Sequence, residues 1–251
     1  MKKILIVSGD SFSDPDFRSG AHPDMDVSWP KWPELLAEKW DMKLINLSQA
    51  GSGNEYIYSR LQDIIMKIQN KSKIGMVIAS WSQAHRWDYQ ICMGHKSYWD
   101  SNMRWSWENE RVQPKGDIIG WMRKSIRNYL ALQILCERYD LPYRQLQTGH
   151  LFEDWYDGDT LSTGHRDSKK KNRNSVHKCL SIIESYDQVL NTDKFIGWPI
   201  SEFIGGFSMQ NKILGETKKE IHDRKLVISK TDGHPNAKGQ KAIADFFIKF
   251  I

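Results

Sequence analysis

The chain opens Met1-Lys2-Lys3-Ile4-Leu5-Ile6-Val7-Ser8-Gly9-Asp10-Ser11-Phe12-Ser13-Asp14-Pro15, and this stretch decides the fold. Residues 4–7 are apolar and mostly β-branched and are followed, after Ser8, by a glycine, which predicts a short buried strand. A strand that breaks abruptly into Gly-Asp-Ser places a polar, potentially reactive side chain at a turn. A second polar cluster, Asp232-Gly233-His234-Pro235-Asn236, stands just before the last helical pattern. A serine becomes a nucleophile when a histidine removes its proton, and a carboxylate fixes the tautomer of that histidine. The two ends of the chain therefore hold, between them, the parts of one reactive centre.

Further strands are expected at residues 43–47, 76–79, 143–146 and 226–228. Helices are expected at 33–39, where Pro33 suits a first helical position, and around Ile57, Leu61, Ile64, Ile65 and Ile68, which share one face. Others are expected over 121–139, around Val176, Cys179, Leu180 and Ile183, and at the C-terminal end around Ile243, Phe246, Phe247, Phe250 and Ile251. Residues 13–33 and 157–174 read as loops. Residues 81–119 read as a long polar, aromatic excursion. Alternating strands and helices predict an α/β fold, a parallel sheet with helices on both faces. No linker divides the 251 residues, so a single domain over 1–251 is expected, with a Trp-rich insertion at about 81–120. In such sheets ligands bind at the carboxyl ends of the strands. Ser11, Gly51 and the Trp81-Ser82-Gln83 stretch all follow predicted strands, so their loops converge on one crevice.

Composition bounds the rest. The net charge of +5 and 39% apolar content describe a folded chain without a strong bias toward nucleic acid. Three cysteines, Cys92, Cys136 and Cys179, are widely spaced and form no CxxC, which argues against a disulfide framework or zinc site and fits a reducing compartment. The apolar run after Lys3 is too short for a signal segment, and no stretch approaches a membrane span. A cytoplasmic protein without membrane contact is expected.

These residues resemble the SGNH (GDSL-type) hydrolases, and the resemblance covers nearly the whole chain. It implies a flavodoxin-like three-layer α/β/α sandwich and an esterase or deacetylase activity without cofactor or metal. It implies that Gly9-Asp10-Ser11 carries the nucleophile, and that Asn46-Leu47-Ser48-Gln49-Ala50-Gly51 is the second motif, with the Gly51 amide an oxyanion donor beside that of Ser11. It implies that Asp232 and His234 complete a triad, or, where a carbonyl orients His234 in place of Asp232, that Ser11 and His234 act as a dyad. Two departures stand out. The family's third motif carries an Asn donor where this chain reads Ser80-Trp81-Ser82-Gln83-Ala84-His85-Arg86, so Ser82 or Gln83 is left as the donor. One residue, Gly233, separates Asp232 from His234 where the family has two. Segments such as GDSFSDP and WSQAHR resemble SGNH-like proteins of phages and environmental bacteria.

Each feature also has a plainer reading. Asn236 can cap the last helix, and Gly53 and Asn54 suit a helix start better than a substrate contact. The scattered histidines have no metal-ligand spacing. His85 and Arg86 suit either a substrate contact or the surface, and the run Lys169-Lys170-Lys171 suits a solvated loop. Tryptophan is 11 of 251 residues, and Trp81, Trp87, Trp99, Trp105, Trp107 and Trp121 cluster in the excursion. They either pack the insertion onto the body or form a platform beside Ser11 for an acylated glycan. The site residues expected are thus Ser11, Asp232 and His234 for catalysis, and Gly51, Ser82, Gln83, Asp10 and Trp81 around the oxyanion and substrate. The partner expected is a small-molecule or glycan ester, with no nucleic acid. The rival expectation is a non-catalytic glycan-binding or assembly protein of the same fold, which a His234 ring turned away from Ser11 would favour. A weaker rival is acyl transfer to a bound alcohol.

Overall fold

The structure is a computed structural model that describes residues 2–93, 96–102, 118–149, 151, 169–215 and 218–250. Five parallel strands lie in the order β2-β1-β3-β6-β7: β1 Ile4–Ser8, β2 Lys43–Asn46, β3 Ile74–Trp81, β6 Tyr143–Gln147 and β7 Phe195–Ile196. Every residue of β3 is buried, as a central parallel strand requires when helices cover both faces.

The period-two alternation of side chains sorts the core into two layers. Leu5, Val7, Met76 and Ile78 point to one face, against Trp32 and Leu36 of α1 (Trp32–Lys39) and Ile243 and Phe247 of α6 (Ala237–Ile248). Ile6, Val77 and Ala79 point to the other. There they meet Ile57, Leu61 and Ile65 of α2 (Asn54–Lys67), Met122, Ile126 and Tyr129 of α3 (Ile118–Arg138), and Cys179 and Ile183 of α4 (Lys169–Glu184). The result is the expected three-layer α/β/α sandwich.

Several expectations are corrected. The fifth strand is Phe195–Ile196, paired with Gln145 and Leu146 of β6. The expected strand at 226–228 is only a single antiparallel bridge between Val227 and Pro235, because the chain there turns back on itself toward α6. Two short elements were not foreseen, a π-helical turn Gln210–Leu214 and the helix α5 Lys218–Arg224. The excursion contains an antiparallel hairpin, β4 Trp87–Met93 with β5 Lys96–Asn102. Residues 103–117, including Trp105 and Trp107, lie outside the described residues. Of the loop expected at 157–174, the part from Lys169 onward is helix α4, and the part before it lies outside the described residues. No described helix is long and apolar enough to cross a membrane.

Candidate active site

β1 delivers the chain to Gly9 at its carboxyl end. A Cβ on Gly9 would lie 2.6 Å from Ser13 Oγ and 2.9 Å from Ser80 Cβ, so only glycine fits between the turn and β3. Asp10 then folds its side chain over the turn. Its Oδ1 accepts from the Phe12 amide at 3.1 Å, closing a short local ring around Ser11. Ser13 N–H donates to Asp10 O at 3.0 Å.

His234 arrives from the far end of the sequence. Its Nε2 lies 2.9 Å from Ser11 Oγ, and its Nδ1 lies 2.6 Å from Asp232 Oδ1. With the Nδ1 hydrogen donated to the carboxylate, Nε2 is the acceptor for the serine hydroxyl. One intervening residue suffices because the Asp232 side chain turns back: the same Oδ1 accepts from the His234 amide at 3.0 Å. Ser19 Oγ donates to Asp232 Oδ2 at 2.5 Å. Burial pushes the Asp232 carboxyl up, but the bonds from the His234 ring, the Ser19 hydroxyl and the His234 amide outweigh it and hold the group well below the usual carboxylate range. The imidazole is walled by Phe17, with ring centroids 4.3 Å apart, and by Phe12 at 5.3 Å. Asn236 caps α6, its Oδ1 accepting from Gly239 N–H at 3.0 Å, so capping and the placement of His234 coexist in one turn.

The turn after β2 is latched to the serine turn. Gly9 O accepts from Gln49 N–H at 3.1 Å and from Ser52 Oγ at 2.8 Å. Asp14 Oδ2 accepts from the Ala50 amide at 2.7 Å, and Asn46 Nδ2 donates to Ser13 O at 2.8 Å. Gly51 sits inside this clamp with φ +90, a left-handed conformation that glycine adopts without strain. The amides of Ser11 and Gly51 have no hydrogen-bond acceptor among the described residues.

The end of β3 differs from expectation. Ser82 Oγ donates to Asp10 Oδ2 at 3.1 Å, while Ser82 N–H and O are bound by the Asn54 side chain. Its only hydroxyl hydrogen is committed, so Ser82 is a strut and not an oxyanion donor. Asp10, 3% exposed and accepting three hydrogen bonds, is likewise part of the scaffold, since a carboxylate has no hydrogen to offer an oxyanion. Gln83 Oε1 accepts from Arg86 Nε at 3.1 Å. Trp81 is 0% exposed; its Nε1 donates to Gln145 Oε1 at 3.0 Å and its ring leans on Tyr129. It is a core residue and offers no face to a sugar. Trp121 packs against the same core.

Three residues of this scaffold escaped the sequence reading. Ser19 lies in a segment without periodicity, and nothing near it marks a partner for Asp232. Asn54 was read only as a helix start. Asp14 carried a signal, since an Asp before Pro15 favours a local side-chain turn, and Asp16 N–H does donate to its Oδ1 at 2.8 Å. Among the described residues no group of three or more His, Cys, Asp or Glu side chains is placed to hold a metal ion.

No protein-family model matches the chain, and no curated protein sequence matches it. Solved structures do: 36 chains match. The acetyl xylan esterase AlAXEase is 14% identical over 99% of both chains, with a TM-score of 0.50. A protein assigned to the G-D-S-L lipolytic family, from Desulfitobacterium hafniense, is 12% identical over 100% of both chains, with a TM-score of 0.48. The esterase EstA from Pseudoalteromonas sp. is 13% identical over 99% of this chain and 96% of its own, with a TM-score of 0.45. The likeness to AlAXEase shows a shared fold, the α/β/α arrangement that the resemblance to SGNH hydrolases implied.

Proposed function

We propose that the protein is a serine ester hydrolase of the SGNH type. The observation that carries this reading is the relay Ser11 Oγ–His234 Nε2 at 2.9 Å and His234 Nδ1–Asp232 Oδ1 at 2.6 Å. Ser11 Oγ attacks the ester carbonyl while His234 takes its proton. The oxyanion so formed is met by the amides of Ser11 and Gly51. The tetrahedral adduct collapses, and His234 returns the proton to the departing alcohol. Water, deprotonated by His234, then attacks the acyl-serine and releases the acid and Ser11. Asp232, held ionised, stabilises the imidazolium at both stages. The substrate class is a small acyl ester, with an acylated carbohydrate as the first to screen, in line with the activity in the name of AlAXEase.

The test is labelling with a fluorophosphonate probe, read by intact mass and peptide mapping. A single adduct on Ser11, absent from Ser11→Ala and slowed in His234→Ala, is the expected result. A folded wild type that takes up no probe would sink the hydrolase reading and favour a non-catalytic, ligand-binding role.

A further inference from the structure

The oxyanion in the proposed reaction faces two backbone amides, while the side chain at the end of β3, Ser82, has spent its hydroxyl on Asp10. A second donor reaches the same carboxylate. Arg86 Nη1 lies 3.1 Å from Asp10 Oδ2, and its side chain is 11% exposed. The other oxygen of that carboxylate holds the Phe12 amide, so the guanidinium is anchored to the very group that closes the turn around Ser11. Its plane is fixed from a second side, because Nε donates to Gln83 Oε1 at 3.1 Å. Nε–H and one Nη1–H are thus used. The remaining N–H groups, both of those on Nη2 among them, have no acceptor among the described residues.

A guanidinium held this way is preorganised. It is always charged, rigid and shielded from water on most of its surface. A cation in that state adds most where negative charge develops during reaction and is absent before it. Resting on the hydrolase reading above, we propose that Arg86 is the side-chain donor to the oxyanion, its free N–H groups taking the place left empty by Ser82. Asp10 and Gln83 are then positioning residues that aim it. The pair with Asp10 also keeps Arg86 from acting as a loose surface cation that would bind any anion.

The experiment uses the full chain, a neutral short-chain aryl ester and a trifluoromethyl ketone that forms a hemiketal with Ser11. Arg86→Ala is expected to lower kcat by about 10²–10³ with KM changed less than about threefold. Arg86→Lys, which keeps the charge but not the fork, falls between. The decisive readout is fluorine NMR of the hemiketal: its hydroxyl should ionise about one pH unit or more higher in Arg86→Ala than in wild type. An unchanged hemiketal titration overturns the proposal, even where kcat falls, because Arg86 would then only hold Asp10. If Arg86→Ala does not fold, Arg86→Lys carries the same comparison. A wild type that labels at Ser11 while Arg86→Ala keeps its rate overturns the role of Arg86 alone. A wild type that never labels overturns the hydrolase reading, and the role of Arg86 with it.

Discussion

Ser19 shows how much a single hydroxyl holds at this site. Its bond to Asp232 Oδ2 is one of the contacts that keep the carboxylate ionised, and it comes from a loop far away in sequence. The folded-state pKa of Asp232 is depressed, so the stability it contributes is fully present above the ordinary carboxylate range. That stability is lost as pH falls through the lower, folded value. Ser19→Ala should therefore destabilise the protein by about 1.5–3 kcal/mol at pH 7, the usual worth of a hydrogen bond to a charged group. The unfolded carboxyl is the same in both proteins, so the gap should hold down to about pH 4 and narrow only below it, once the folded carboxyl of the variant, missing one of its bonds, takes up its proton before that of wild type. Urea unfolding at both pH values checks this, and an equal loss at the two would mean that Ser19 acts through packing. His22 N–H donates to Ser19 Oγ at 3.0 Å, so the variant also loosens the loop that packs Phe17 against the His234 ring.

Helix α2 is preceded by Gly53, a residue with no side chain to cap it. Its first turn is served from another element instead: the Tyr56 amide donates to Asp88, on β4. Asp88 is 2% exposed, and burial pushes its carboxyl up to about 6 against the pull of that amide. A raised acid has the opposite sign to Asp232. The folded state binds the proton first, so stability should rise as pH falls from about 6 toward 4. His85, half-buried three residues earlier, slopes the other way, since burial and the neighbouring Arg86 charge push its imidazole down to about 4. The stability advantage of wild type over Asp88→Asn should therefore grow by up to about 3 kcal/mol between pH 7 and pH 4. The variant keeps an acceptor for Tyr56, so comparing chemical unfolding of the two proteins isolates this carboxyl. A pH-independent difference would refute it. None of this was legible from periodicity. The α2 face was clear from its isoleucines, but which side chain caps the helix depends on where the excursion returns. The same limit explains the strands. β1 and β3 are apolar runs that need no tertiary information, whereas β7 has two residues and gains its strand character only by lying beside β6.

Across the whole molecule, the two ends of the sequence close on each other, and this was readable because both carry their chemistry next to a strand end or a helix start. What the sequence did not disclose is the fastening. Gln240, on the first turns of α6, is 2% exposed and bridges two elements of the N-terminal region. Its Nε2 donates to Phe12 O at 3.1 Å, and its Oε1 accepts from the Trp32 amide, at the start of α1, at 2.8 Å. One amide thus ties the residue after the proposed nucleophile to the helix that follows the proposed base. Gly239 beside it permits the approach of the preceding segment, since a Cβ there would lie 2.0 Å from Leu226 O. In a composition-based reading, a glutamine on a helix is merely polar; only the meeting of three distant segments makes it a clasp. Gln240→Leu fills similar space and makes neither bond. It leaves a carbonyl and an amide unpaired in the interior, at about 1–3 kcal/mol for each. The expected result is a loss of about 2–6 kcal/mol in urea unfolding with an unchanged m-value, together with slower fluorophosphonate labelling of Ser11 because the turn that carries it is no longer held against α6. A stability loss below about 1 kcal/mol, with labelling at the wild-type rate, would show that Gln240 is no clasp and that the ends of the chain are held by their other contacts, the packing of α1 against α6 and the bonds from Ser11 and Ser19 among them.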